Sequence, residues 1–379
     1  MIKPTVFLLG LAHLPTINAS PTVACAYSMK QLRLSDMLTN LGYKTVFLGV
    51  EGTQVHADET IICLSEYDRN RLYGSLESYT SRFFNHGRAD EAYKIFRKNA
   101  IREILERVQP GDLLSNPMGN YYEELCKPES QGGVEKAVGF PFLLETGIGY
   151  TGILENTHRV FETNSWRAYC YGMYHAYSQG RLFGNIDFYD EVIGNSYYKD
   201  HYKFNTNKEN FFLMNCRIAT RKGIQIAIQT VQETGDKLII CGQPGEPVNM
   251  DFPNVEYIGF VSESEKVDLL SHAKGVFSPT MYWGPYEGLA VEAQMSGTPV
   301  ITTDAACYYE TVVHGVTGYR CMVLREFVHA ASHIEEISSQ ACRDWAVSQF
   351  STEVCGKKYD RFFSRLSDLW RGGWSELEG

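Results

Sequence analysis

The sequence predicts an α/β protein of two domains, each a parallel sheet covered by helices, facing one another across a cleft. Three observations carry this reading. Apolar strand-like runs alternate with helical stretches through both halves of the chain, which implies parallel sheets with helical crossovers. The alternation lapses once, over Asp190 to Asn210. The length of 379 residues suits two domains of ordinary size, each able to bury a core.

In the first half PTVFLLGL reads as a strand, Ala24 to Leu41 as a helix stopped at Gly42, and KTVFLGV as the next strand. IICL follows as a strand, then a basic helical stretch from Ala89 to Val108. GDLLSN and FPFLLE read as later strands ending in loops. The polar and aromatic stretch DEVIGNSYYKDHYKFNTNKEN marks the inter-domain region. A second series then begins. FFLMNC, DKLIICG, VEYIGF, GVFSPT and PVITT are its strands; KGIQIAIQTVQE, EKVDLLSHA and GLAVEAQMS are its helices. From about Ile334 the chain is helical, and Trp345, Phe350, Tyr359, Phe362 and Phe363 are expected to pack back on the first domain. The expected boundaries are 1–195 for the first domain, 196–350 for the second and 351–379 for the returning helix. Ligands of facing open α/β sheets bind between the carboxyl ends of their strands.

Composition narrows the function classes. The chain is 44% hydrophobic and 21% charged, the make-up of an ordered globular protein. A net charge of −10 argues against nucleic-acid binding by the whole surface. The segment from Arg69 to Arg107 runs the other way, with nine Arg and Lys against five acids and aromatic residues interleaved. Two readings of it stand: the solvated face of an amphipathic helix, or a groove for a polyanionic acceptor that uses Arg97 and Lys98. Ten scattered cysteines without a CxxC pair suggest neither a zinc site nor a disulfide framework, and place the protein in a reducing compartment. The opening MIKPTVFLLGLAHLP imitates a signal peptide but reads as a buried first strand. No run approaches the length of a membrane span, so a cytoplasmic protein is expected.

The stretch from Tyr282 to Cys321 is the richest in chemistry. A Gly/Pro turn opens a short helix carrying Glu292, and a small-residue break leads to another strand and a second glycine-rich loop. A helix N-terminus beside strand ends is a place for a phosphate and a sugar ring. Arg217 and Lys222 follow the strand FFLMNC. Two fixed cations at a strand-to-helix junction suit a diphosphate and the charge that grows on it as it departs.

Together with VEYIGFVSESEKVDLLSHAKGVFSPT and CRDWAVSQFS, these segments resemble the retaining glycosyltransferases of the two-domain GT-B fold, group 1 or family-4 type. The resemblance is close from about Phe211 to Phe350. LLGLAHLPT, CAYSMKQ and LLETGIGYTG look like a branch found in phages, large viruses and some bacteria. The resemblance implies two Rossmann-like domains with a C-terminal helix packed back on the first. Arg217 and Lys222 would grip the donor diphosphate, and Glu292 would bind the ribose hydroxyls. The N–H groups of Gly288, Leu289 and Ala290 would meet the phosphates, while Val255 to Phe260 and Val261 would flank the nucleobase. The sequence departs from the pattern eight residues before Glu292, where an acid that contacts the transferred sugar is replaced by Gly284. Either Glu287 substitutes for it from a shifted turn, or the sugar lacks that contact, as a pentose would.

In the first domain, His13 after the first strand is expected at the cleft for proton transfer or anion binding. Glu145 in LLETGIGY stands where many members carry a histidine, and is expected to contact sugar or acceptor. His56, Asp58, Asn116 and Asn120 are placed on the same acceptor edge, and Trp166 and Arg167 in fold and interface. No cofactor and no metal is expected; the weak metal-like run Asp187-Phe188-Tyr189-Asp190 sits in a connecting region. The co-substrate is a nucleotide-diphosphate sugar, a UDP-sugar in preference. Both a hydroxymethylated base of phage DNA and a glycan or small molecule stand as acceptor. A nucleotide-sugar-binding protein, or an epimerase or hydrolase on the same fold, is the alternative class.

Overall fold

The computed structural model describes residues 3–19, 22, 25–82, 84–134, 143–154, 157–177 and 189–370. Expectations for Ala24, Phe83, Phe140 to Phe142, Asp187, Phe188 and residues 371–379 fall outside them. Among the described residues the first sheet comprises β1 (Thr5–Leu9), β2 (Lys44–Val50), β3 (Glu59–Leu64), β4 (Leu113–Asn116), β5 (Leu143–Ile148), β6 (His158–Phe161) and β7 (Glu191–Val192). Their order is β3-β2-β1-β4-β5-β6-β7, every pair parallel. The second sheet comprises β8 (Glu209–Asn215), β9 (Lys237–Cys241), β10 (Val255–Tyr257), β11 (Ala273–Ser278), β12 (Val300–Thr303) and β13 (Gly318–Cys321). It repeats the plan as β10-β9-β8-β11-β12-β13, again wholly parallel.

Helices on both faces explain why these strands read as unbroken apolar runs. Along β8, Phe212 points into one core and Leu213 into another, the period of two that a strand imposes. All ten cysteines are free and nine are buried, so they serve as small apolar fillers of those cores. In both sheets the strand order reverses beside the first strand, at β1/β4 and at β8/β11. Such switch points open a crevice at the carboxyl ends of the strands.

The chain crosses between the domains twice, side by side. Tyr197 N–H donates to Phe350 O (2.8 Å) and Thr352 N–H to Tyr197 O (3.0 Å). Helix Thr352–Trp370 then places Cys355, Tyr359, Phe362, Phe363 and Leu366 in the core of the first domain. Asp360 pins it there, accepting from Lys3 (2.7 Å) and Tyr43 (2.8 Å). Phe350 differs from the expectation: it ends helix Ser339–Phe350 and belongs to the second-domain core, with Trp345 on the same helix. The basic stretch is helical over Glu91–Leu105, and VEYIGF is strand only over Val255–Tyr257. Helices Glu66–Tyr73 and Asn164–Tyr177 and strand β6 were not anticipated.

Candidate donor and acceptor cleft

A cavity of about 380 Å³ lies between the two sheets, lined from the second domain by Arg217, Lys222, Phe260, Glu287, Gly288 and Glu292 among others. Its floor is set by two close approaches. After β8 a single turn, Thr220–Lys222, ends at Gly223 with φ +75°, where a Cβ would stand 2.1 Å from Pro279 O. Only glycine fits there, and it presses Lys222 against the loop that follows β11. At Gly288, the first residue of helix Gly288–Met295, a Cβ would lie 2.8 Å from the Tyr197 hydroxyl, so the helix N-terminus abuts the inter-domain segment.

Lys222 Nζ donates to both Glu287 carboxylate oxygens at 2.8 Å and to the Tyr282 hydroxyl at 3.3 Å. The Tyr282 hydroxyl donates in turn to Glu287 Oε1 (3.0 Å). Burial alone would lower the ammonium's pKa, but Glu287 and Tyr282 outweigh it and hold Lys222 above its ordinary value. Glu287 Oε1 lies 3.2 Å from where a Cβ of Gly284 would be. The carboxylate three residues downstream therefore fills the space beside the position where the acid is missing. Arg217 lines the same cavity from the end of β8, and its side chain is exposed.

At the other end Glu292 pairs with Lys266 (3.2 Å), which also binds Glu263 (2.8 Å), and Glu263 accepts from His201 (2.9 Å). Burial opposes ionisation of Glu263, yet the His201 hydrogen bond and the Lys266 ammonium hold it down at about 2. None of Lys266, Glu263 and His201 was singled out in the sequence, although ESEK begins two residues after the segment assigned to the nucleobase. Phe260 and Val261 line this end. Leu289 also faces the cavity, whereas the side chain of Ala290 is buried in the second-domain core.

The first-domain wall departs from expectation. His13 does not line the cavity; it is buried, stacked on His86 at 3.8 Å with its Nδ1 2.8 Å from the Tyr93 hydroxyl. Burial, then His86 and Arg69, push its pKa well below the ordinary value, so it is a neutral core residue. Glu145 is likewise enclosed, its carboxylate accepting from Tyr150 (2.9 Å), Leu154 N–H (2.8 Å) and Thr157 (2.9 Å). Burial raises its pKa to about 7 against those three hydrogen bonds.

The acceptor-edge residues are occupied elsewhere too. His56 pairs with Asp36 at the surface (2.8 Å), and Asp58 accepts from Thr45 N–H (2.7 Å). Asn116 closes its own turn through Met118 N–H and Gly119 O, both at 2.9 Å, and Asn120 N–H donates to Gly152 O (3.0 Å). Arg97 is buried against Glu124 (2.9 Å) and the carbonyls of Arg88 and Tyr121, while Lys98 is exposed. Arg71, Arg88, Arg102 and Arg107 meet Glu91 (3.0 Å), Glu123 (3.4 Å), Glu103 (2.7 Å) and Glu59 (3.1 Å). The basic run is thus largely paired with carboxylates, Glu91 and Glu103 from within it and Glu59, Glu123 and Glu124 from outside. The aromatic and charged groups that the first domain does bring to the cavity include Tyr27, Lys30, Arg33 and Glu162.

Among the described residues no group of three or more His, Cys, Asp or Glu side chains is arranged to hold a metal ion. Among the same residues no helix is long and apolar enough to cross a membrane.

Two facing parallel-sheet domains with a polar cavity at their switch points define the GT-B architecture. Solved structures agree. Sucrose-phosphate synthase from Thermosynechococcus elongatus superposes with a TM-score of 0.68 over 97% of this chain and 100% of its own, at 14% identity. AviGT4, a glycosyltransferase involved in avilamycin A biosynthesis, gives 0.62 over 97% and 98% at 18% identity. Anabaena Alr3699/HepE, solved with UDP and glucose, gives 0.62 over 96% and 100% at 12% identity. No curated protein matches the chain by sequence. The family model for glycosyl transferases group 1 matches residues 199–339, the part that carries Arg217, Lys222, Glu287 and Glu292. The chain has the GT-B fold, and its residues 199–339 carry a group 1 glycosyltransferase domain.

Proposed function

We propose that the protein moves a glycosyl group from a nucleotide-diphosphate sugar, a UDP-sugar foremost, to an acceptor hydroxyl with retention of anomeric configuration. The observation that carries this reading is the convergence of Arg217, Lys222, Glu287 and Glu292 on one cavity at the N-terminus of helix Gly288–Met295. In this reading Glu292, steadied by Lys266, takes the ribose hydroxyls. Lys222 exchanges its contact with Glu287 for the donor diphosphate, and Arg217 and the helix N-terminus complete the cradle. Glu287, freed toward the space beside Gly284, takes a hydroxyl of the sugar.

Bond breaking leaves an electron pair on the phosphate oxygen, where these cations neutralise it. The acceptor approaches from the face the phosphate vacates and gives its proton to that oxygen, which retains the configuration. Charge neutralisation is assigned to protein cations, without a metal. The resemblance of the N-terminal segments to a phage- and virus-associated branch supports action in a host cytoplasm. For the acceptor, the ion pairs along Arg69 to Arg107 favour a glycan or small molecule over a hydroxymethylated base of phage DNA. Glu287 beside Gly284 favours turnover over a binding role.

The test is release of free nucleotide from a panel of UDP- and GDP-sugars. Arg217→Ala and Lys222→Ala should each lower kcat/KM by about 10²-fold or more, and EDTA should leave the rate unchanged. Full activity in either variant would refute the mechanism.

A further inference from the structure

We propose that Lys30 and Glu162 form the acceptor subsite of this cavity, built for a neutral polyol such as one face of a sugar ring. The proposal rests on the transferase reading above. Glu162 follows β6 and Lys30 lies on helix Ala26–Asn40, yet Lys30 Nζ sits 2.5 Å from Glu162 Oε1 with the two side chains only 9% and 3% exposed. Both line the cavity, as do Lys222 and Glu287 from the second domain. Lys30 Nζ also donates to Gly147 O (2.8 Å) and lies 3.9 Å from the centre of the Tyr27 ring, whose hydroxyl donates to Gly149 O (3.0 Å).

The Gly147-Ile148-Gly149 run is shaped around this pair. Gly147 has φ +62° and a Cβ there would stand 3.3 Å from Lys30 Cδ; a Cβ on Gly149 would stand 2.6 Å from Glu162 Oε2. Two glycines thus make room for an ion pair that the fold gains little by burying, because desolvation offsets most of the Coulomb attraction. Its chemistry is that of carbohydrate recognition: a carboxylate to accept from hydroxyls, an ammonium to donate to them, and an aromatic ring beside both. Because Lys30 neutralises Glu162, the pair offers hydrogen bonds rather than net charge, which suits a neutral occupant.

In the transfer step the acceptor oxygen bonds to the anomeric carbon as the carbon–oxygen bond to the diphosphate breaks. The electron pair of that bond goes to the phosphate oxygen, which also receives the hydroxyl proton. Glu162 accepts from a hydroxyl neighbouring the attacking one and so orients the acceptor, while Lys30 holds the carboxylate in place.

The experiment uses the full chain with UDP-glucose as donor. Acceptors are water, a panel of glucose, galactose and mannose, and a duplex carrying 5-hydroxymethylcytosine. Glu162→Gln and Lys30→Met should leave UDP affinity within about twofold and hydrolysis by water within about threefold. Transfer to the monosaccharide should fall about 10²-fold, chiefly through the acceptor KM, with partial recovery in Glu162→Asp. Equal losses of hydrolysis and transfer would overturn the assignment, as would transfer to the duplex alone or to no monosaccharide while water is still used. If the unsubstituted protein binds no UDP and consumes none of the UDP- and GDP-sugars of the panel, the transferase reading itself falls, and this assignment with it.

Discussion

Glu145 and Glu162 are both buried carboxylates near the carboxyl edge of the first sheet, and the difference between them decides which one meets a ligand. Glu145 spends its oxygens on Tyr150, Leu154 and Thr157; Glu162 faces the cavity beside Lys30. A structural role for Glu145 has a pH signature. Its folded pKa of about 7 lies above the ordinary 4.5, so its contribution to stability is full below pH 4.5 and is lost as pH rises through 7. Buried His158, held at about 4, works in the opposite direction, so the wild-type profile alone blends the two. Comparison with Glu145→Gln separates them. The stability of wild type minus that of the variant should fall by roughly 3 kcal/mol between pH 4.5 and 8, read from denaturant midpoints. A difference that does not change with pH would return Glu145 to the list of cleft residues.

At this scale the sequence was most legible where chemistry and spacing coincide. Lys222 and Glu292 stand at a strand end and on a helix just beyond a glycine turn, local features that a one-dimensional reading captures. Lys30 and Glu162 are 132 positions apart, and nothing in either segment announces the other. Arg97 failed for the same reason, since its partner Glu124 comes from a turn outside the helix that suggested a basic face. His13 lies in the loop after β1, yet it is enclosed by Tyr73 and His86, from a segment the strand-and-helix pattern did not organise, and by Tyr93 of the basic helix.

Among the elements, the turn between β8 and helix Ile224–Thr234 has the most leverage. Gly223 combines φ +75° with a Cβ position 2.1 Å from Pro279 O, so alanine there is strained and must also displace backbone. Gly235, at φ +79° with nothing within 4 Å, supplies the control. Gly235→Ala should cost about 1 kcal/mol, the left-handed penalty alone. Gly223→Ala should cost more than twice that and should weaken donor binding as well, because Lys222 moves with the turn. Equal costs in denaturant titrations would show that the close approach carries no weight. Strands of both sheets were readable because parallel strands covered on both faces are continuous apolar runs. Helix Asn164–Tyr177 was not, since NSWRAYCYGMYHAY is rich in aromatic residues and carries a central glycine in place of strong helix formers.

At the scale of the whole molecule, a carboxylate of the second domain helps to tie the two domains beside the donor loop. Glu310 of the second domain accepts from Asn164 N–H (2.9 Å) and Ser165 N–H (2.9 Å), capping the helix of the first domain across the interface, and Thr163 donates to Pro285 O (3.1 Å). Glu310→Ala should cost about 1 kcal/mol, the usual worth of a lost N-cap. It should also enlarge the radius of gyration in solution scattering, whereas an unchanged profile would mean that the other cross-domain contacts suffice. The cavity that these contacts frame is the centre of the account, and UDP binding measured by calorimetry tests it most directly. The account predicts that the unsubstituted protein binds UDP, that Lys222→Ala and Glu292→Gln each weaken it about tenfold or more, and that Glu162→Gln leaves it nearly unchanged. Absence of UDP binding, or an affinity indifferent to Lys222 and Glu292, would contradict the assignment of this cavity to a UDP-sugar donor.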